Sequence, residues 1–305
     1  PVPCPLSAYP FQMKFFPRAL RVLGVDHTVA VALFGHFWML ASGPILLFLL
    51  LRHLNLGERG VLFNFVSICQ FQILFEIGTA TVVQQFASRE RAFLHLTTHG
   101  TLAGDPMAKA RLGALFRIAL VWFLAVMVVV NLILLPAGWA FFAGAEGLDG
   151  IDWQWAWVLS AMVAAGQGFA YSLFHFLSGC GDVTPVVRVT AVQNALMPLA
   201  QALALLAGAR LLSHPIAGMV GLSVSLVWVA LRRRRLLADL WGADRAQTTF
   251  RWRTDLWPLQ WRSTLSILGL IAVNQMLNPM VLAFRGAEEA GRVGLSMYVL
   301  MMIQM

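Results

Sequence analysis

Glu76 is the one acid or base between residues 60 and 88, a stretch otherwise made of apolar and neutral side chains. A carboxyl taken into hydrocarbon is costly, so an ionisable group in such a run is a candidate for work or for a buried pair. Counting back in steps of four from Glu76 reaches Gln72, Ile68 and Asn64, so the polar members share one side of a helix. Asn274 and Asn278 repeat that spacing beside Gln275 and Pro279. Stripes of this kind either line a water-filled cavity or join helices by hydrogen bonds. Arg117, Arg188 and Arg262 stand at the ends of apolar runs, where they either snorkel and set topology or face a cavity and hold a pyrophosphate. His36 and His175 sit among apolar neighbours and read as satisfied core histidines, with a proton relay as the sharper alternative.

Other chemistry is missing from the motif inventory. The sequence has no GxxxxGK[ST] loop, no HExxH and no GxSxG, and Cys4, Cys69 and Cys180 have neither CxxC nor zinc-ligand spacing. The reading therefore expects no catalytic residue, no metal and no cofactor; were the chain a carrier working without ATP, H+ or Na+ would be its coupling ion and Glu76 the candidate to carry it.

The elements that position these residues follow from composition. Hydrophobic residues make up 59% of the 305 positions and charged residues 12%, where an ordinary soluble domain carries about 25% charged. Crossing a bilayer takes about 20 apolar residues. Charge-free runs occupy 27–51, 118–145, 153–181, 189–209, 211–231 and 263–284, and 60–88 is broken by Glu76 alone. A further run, 293–305, reaches the last residue. The expected fold is all-α: a polytopic transmembrane helix bundle with one complete six-helix lobe and the start of a second, pseudo-symmetric lobe.

Placing the N-terminus in the cytoplasm puts most of the 22 Lys and Arg residues on that side, leaving Arg52, Arg59, Arg210, Arg285 and Arg292 outside. The loop 145–153, with Glu146, Asp149 and Asp152 and no base, also falls outside, as the positive-inside rule requires. The net charge of +8 is thus mainly topology, and no nucleic-acid partner is implied. Tryptophans 139, 153, 155 and 157 mark one interface and 241, 252, 257 and 261 the other.

Four divisions are expected: an N-terminal segment 1–28, of which 1–12 reads as non-native sequence before Met13; a lobe of six spans over 29–231; a basic cytoplasmic linker, 232–262; and the start of a second lobe, 263–305, C-terminally incomplete. The linker mixes Arg232 to Arg235 with Leu236, Leu237, Leu240 and Trp241, which reads as a partly helical segment on anionic lipid or as a partner site. A weak repeat relates Gly43-Pro44 and Gly60 to Asn278-Pro279 and Gly294, and repeated bundles are common among secondary transporters.

Three stretches carry a family resemblance. They are Leu54-Asn55-Leu56-Gly57-Glu58-Arg59-Gly60, then Phe71-Gln72-Ile73-Leu74-Phe75-Glu76-Ile77-Gly78, and Gln84-Gln85-Phe86-Ala87-Ser88-Arg89-Glu90, supported by Gly179-Cys180-Gly181 and Trp257-Pro258-Leu259-Gln260-Trp261-Arg262. Together they resemble bacterial polysaccharide-biosynthesis membrane proteins, the O-antigen-flippase-like branch of the multidrug/oligosaccharidyl-lipid/polysaccharide exporter superfamily. The resemblance implies two lobes around a central cavity, alternating access without ATP, an inner-membrane location, a lipid-linked sugar as substrate, and contact with membrane lipids and other polysaccharide-assembly proteins. The cavity candidates are then Arg117, Arg188, Arg262, Asn64, Gln72, Asn274 and Asn278. His36, Asn64 and Glu76 stand where lipid II flippases carry arginines, a departure from a peptidoglycan-precursor substrate. A drug or cation antiporter of the same superfamily and a polytopic glycosyltransferase or polymerase are the alternatives.

The topology has a direct test. Single cysteines placed at 149 and 233 and labelled in intact cells should react from outside at 149 and stay protected at 233; external labelling of 233 reverses the orientation.

Overall fold

The computed structural model describes residues 27–97, 100–244 and 257–304, and of these the backbone alone at 27, 73–78, 257–274 and 301–304. Helices dominate: α1 (His27–His53), α2 (Leu56–Arg91), α3 (Pro106–Ala143), α4 (Gln154–Gly179), α5 (Val183–Leu206), α6 (Ser213–Trp228), α7 (Arg234–Trp241) and α8 (Trp257–Gln304). A 3-10 turn at Arg210–Leu212 leads into α6, and a π-helical turn at Val229–Arg233 joins α6 to α7. The chain is an all-α bundle, and five of its described segments are long and apolar enough to cross a membrane. These are α1, α3, α4, α5 and the continuous stretch Arg210–Trp241.

Helix starts are written locally. Asn55 is extended and its side chain accepts from Glu58 N–H at 2.7 Å, while Glu58 accepts from Asn55 N–H at 2.9 Å, a reciprocal capping box that opens α2. Asp105 caps α3 through Met107 N–H, and Pro106 occupies the first helical position, where its missing N–H costs nothing. Between α2 and α3 the chain forms a short antiparallel pair, β1 (Leu94–Leu96) and β2 (Leu102–Gly104), with His95 opposite Ala103. That hairpin was not expected from the sequence.

Helix α2 holds the expected span 60–88 and lies inside the bundle. Every residue from Gly60 to Phe65 is buried, and α2 packs against α3, α4 and α8. A helix enclosed by protein is not selected for contact with lipid, so it can hold polar residues that an outer helix cannot. By contrast α1 exposes Leu33, Phe34, Phe37, Ile45 and Phe48, and α3 exposes Val121, Leu124, Val128, Leu132 and Ile133. Apolar faces of that extent are the lipid-facing surface of a multi-pass membrane protein.

Helix α8 is broken at Gly286, whose φ of 80° and ψ of 178° suit a residue without Cβ. Asn278 meets Ser67 of α2, Ala287 and Gly291 meet Gly60 and Leu56, and Gly294 and Tyr298 meet Phe63. The chain therefore runs along α2 toward its capped end, turns at Gly286, and comes back. The two glycines of the weak repeat, Gly60 and Gly294, both lie in this crossing. At its tightest point a Cβ on Gly60 would sit 2.1 Å from Ala287 O, and one on Gly291 2.3 Å from Leu56 O. Backbone meets backbone there.

Past residue 231 the helical path continues through the π turn to Trp241, so the first ten residues of the expected linker extend the preceding span. Leu236 and Leu240 are buried against α3 and the hairpin rather than turned to lipid. Residues 245–256 lie outside the described residues.

The α2–α8 crossing yields a stability prediction. Gly60→Ala and Gly291→Ala should each lower stability by roughly 1–3 kcal/mol through forced separation of the helices. Gly35→Ala, whose Cβ would find Ala191 at an ordinary 3.6 Å, should be near neutral. Thermal unfolding in detergent compares the three; equal melting temperatures would mean that the crossing is not tightly packed.

Candidate functional site

Two apolar clusters occupy opposite ends of the bundle. One, at the hairpin end, gathers Val83, Leu112, Phe116, Phe176, Leu177, Leu236 and Leu240; the other, at the capped end of α2, gathers Leu50, Val61, Phe65, Phe142, Trp157, Leu205 and Leu282. Between them lies a polar layer. On α2, Gln72 falls after Cys69 of one cluster and before Ala80 of the other, and it is 2% exposed. Its Nε2 donates to Ala161 O of α4 at 3.4 Å, and Asn131 of α3 donates through Nδ2 to the same carbonyl at 3.2 Å. One backbone oxygen thus gathers two amide side chains from two other helices.

The layer is incompletely satisfied. Among the described residues Gln72 Oε1, Asn131 Oδ1 and Ser160 Oγ, the last one residue before Ala161, are buried without a hydrogen-bond partner. Asn64 donates to Gly60 O at 2.8 Å and Asn278 donates to Ser67 Oγ at 3.1 Å, yet Oδ1 of each has no partner among the described residues. An unmade hydrogen bond at a buried polar atom costs about 1–3 kcal/mol. Further round the bundle at similar depth, Gln167 donates to Gly218 O at 2.9 Å and Gln193 to Gly221 O at 2.8 Å, which ties α4 and α5 to α6. The unpartnered atoms of Asn64, Gln72, Asn131, Ser160 and Asn278 are oxygens, suited to a ligand that brings hydrogen-bond donors or a hard cation.

The remaining candidates fall elsewhere. Arg117 is at the hairpin end, where Nη1 lies 3.1–3.3 Å from the carbonyls of Leu240, Trp241 and Ala243, the C-terminal turn of α7. That is a helix cap between α3 and α7, made by a cation at the negative end of the helix dipole. Arg188 is exposed on α5. Glu76, Arg262 and Asn274 are on helical backbone, and their side chains lie outside the described residues. The structure thus brings Gln72 together with Asn131 at the Ala161 carbonyl, and Asn278 beside Ser67, and it places Arg117 at the C-terminal turn of α7. His175 pairs through Nδ1 with Gln84 Oε1 at 2.6 Å, while His36 is exposed on α1.

Charges gather at the two ends. At the capped end, Arg210 Nε lies 2.8 Å from Glu58 Oε1, so the carboxylate that closes the α2 capping box also ties in the α5–α6 turn. At the hairpin end, Lys109 pairs with Asp239 at 2.7 Å and Arg111 with Glu90 at 2.9 Å, while Arg233 Nη2 donates to Asp182 Oδ1 at 2.8 Å. Arg91 Nε donates to Cys180 O at 2.9 Å. Burial holds the Asp182 carboxyl above the usual carboxylate range, against the opposing pull of Arg233 and Arg91. Burial, reinforced by the Asp182 charge, also pushes the Cys180 thiol up and keeps it unreactive. Cys69 and Cys180 are both free thiols. Among the described residues no group of His, Cys, Asp and Glu has the makings of a metal site.

Asn131 was missed from sequence because it is the lone polar residue in the apolar run 118–145, and Ser160 because no polar residue stands three or four positions from it. Only the packing of α3 and α4 on α2 brings Asn131 to the carbonyl that Gln72 also reaches. Compared with protein-family models, curated proteins and solved structures, the chain has no match.

The amide layer separates structural from working roles by stability. Replacing both Gln72 and Asn131 by Leu removes two donors and two unpartnered oxygens at nearly constant volume, so the double variant should be within about 1 kcal/mol of wild type or more stable. Loss of several kcal/mol in detergent unfolding would show that the layer holds the helices together through contacts Leu cannot replace.

Proposed function

We propose that the protein is a transporter which moves a hydrophilic solute across the membrane by alternating access, and that the solute is the head of a lipid-linked oligosaccharide. The observation that carries this reading is the buried layer of unpartnered oxygens on Gln72, Asn131, Ser160, Asn64 and Asn278 within an apolar bundle. A bundle that served only as an anchor gains nothing from such groups, because apolar side chains of the same size would avoid the desolvation cost. Oxygens that lack a partner in this conformation gain one if α8 parts from α2 and admits water or hydroxyl-bearing solute. The lipid tail stays in the bilayer while the head crosses. The resemblance of the α2 region to polysaccharide-export membrane proteins points to the same substrate class, with the cytoplasmic membrane as location.

Of the sequence-derived arginine candidates, Arg117 serves as a cap, and Arg188, exposed on α5, is the one proposed to meet a pyrophosphate. Glu76, one turn beyond Gln72 on α2, is the proposed coupling group. Its protonation would differ between the two access states as its surroundings change, linking an H+ or Na+ gradient to helix movement.

A second reading is favoured by one feature: the unpartnered atoms are neutral oxygens, and neutral oxygens also suit a monovalent cation. On that reading the protein is a drug or cation antiporter.

Both readings meet in one experiment. The protein is reconstituted in vesicles with a lipid-linked oligosaccharide, and exposure of the sugar to an impermeant oxidant is followed in time. Wild type should expose it under an ion gradient. Gln72→Leu/Asn131→Leu should lose at least about tenfold in rate, a rise of about 1.4 kcal/mol in the barrier. Glu76→Gln should lose the gradient dependence, and Glu76→Asp should keep part of it. Cation flux without sugar exposure would select the antiporter, and wild-type rates in the leucine variant would remove the amide layer from the transport path.

A further inference from the structure

The described carboxylates at the hairpin end are largely committed. Asp182 holds Arg233, Glu90 holds Arg111, Asp239 holds Lys109, and Asp105 caps α3. Three neighbouring arginines stand outside these pairs. Arg232, Arg234 and Arg235 are exposed, and among the described residues no carboxylate lies within ion-pair distance of any of them.

The π turn at Val229–Arg233 sorts the four arginines. It changes the phase of the helix between α6 and α7. Arg233 lies over the Trp228 ring, 5.4 Å from its centroid, and reaches Asp182; Leu236 and Leu240 enter the core. The other three guanidiniums are left on the outside of the same turn.

Their depth is fixed by what precedes them. Leu226, Val227 and Leu231 are 46%, 55% and 71% exposed, the apolar surface that a spanning helix presents to hydrocarbon. That surface ends at Leu231, and the next residue is Arg232. Trp241, 47% exposed, adds an amphipathic ring of the kind that settles at the membrane–water interface. The turn therefore lies at the hydrocarbon edge, the level of the lipid phosphates.

We infer that Arg232, Arg234 and Arg235 form a binding site for the headgroup of an anionic phospholipid. Guanidinium presents paired N–H donors that match a phosphate, and three of them without a counter-charge among the described residues favour an anionic over a zwitterionic headgroup. The site is structural in consequence. A lipid held there braces α7, which α3 grips through Arg117 and Lys109. A soluble polyanion has no reason to be matched to the end of an apolar face, so the position favours lipid. The inference stands apart from the transport reading, since it needs only the membrane and the three arginines.

Native mass spectrometry of the full chain in mild detergent tests it, with phosphatidylglycerol, phosphatidylcholine and inorganic phosphate as separate probes. Wild type should retain phosphatidylglycerol in preference to phosphatidylcholine and should bind phosphate alone only weakly. R232Q/R234Q/R235Q should weaken phosphatidylglycerol binding at least about tenfold, a loss of about 1.4 kcal/mol, and leave phosphatidylcholine adducts unchanged. Should the triple variant fail to fold, raising the ionic strength on wild type gives a second reading, in which phosphatidylglycerol adducts are lost and phosphatidylcholine adducts remain. Equal retention of the two lipids, salt-independent phosphatidylglycerol binding, or displacement of the lipid by phosphate alone would overturn the proposal.

Discussion

Within the hydrocarbon layer a polar group has no water to turn to, so each one must find its partner inside the protein or go without. This constraint organises the bundle around α2. That helix carries Asn64, Ser67 and Gln72 along its middle, and no part of it from Gly60 to Phe65 reaches the outside. Helices α3, α4 and α8 close round it, while α1 and α3 turn their large apolar side chains outward. Where α2 meets α8 the backbones touch at Gly60 and Gly291, since the closest enclosure leaves no room for a Cβ.

The same constraint sorts charge from amide. Among the described residues full charges are kept toward the two ends, and several of them form pairs there: Glu58 with Arg210 at one end, Lys109 with Asp239 and Asp182 with Arg233 at the other. Such pairs at the margins join elements far apart in sequence and fix where each helix begins and stops. Amides, which are cheaper to bury than charges, occupy the middle. The apolar clusters at either end hold the helices together, and the amide layer between them is the part of the bundle with the least to lose if the helices separate. Helices that are firmly packed at their ends and incompletely satisfied at the centre are a reasonable substrate for movement between two packings.

Composition alone carries the all-α, multi-pass character. A stretch of about 20 residues without charge has few options other than a spanning helix, and the charge-free runs correspond closely to α1, α3, α4, α5 and α6. The turn near Gly286 was legible too, as the interval between an apolar run ending at 284 and one beginning at 293. The hairpin at 94–104 was not. Its strands are three residues each, too short for a period-2 pattern, and their Leu94 and Leu102 side chains are buried only because α3 and α7 cover them.

What the sequence determined by itself is therefore what depends on one segment and its solvent: which stretches are apolar enough to span, where Asn55 and Asp105 start a helix, and that Asn64 and Gln72 share a side of α2. What only the tertiary structure decided is which polar groups meet. Gln72, Asn131 and the Ala161 carbonyl are separated by up to 89 positions and come from three helices, and nothing in any one of those helices marks the other two. The destination of Arg117 at the C-terminal turn of α7, and of Leu236 and Leu240 in the core rather than on lipid, was equally a matter of packing. The physical reason is common to all of them. Hydrophobicity and capping act within a few residues of their source, whereas a hydrogen bond between helices exists only once the helices have been placed side by side.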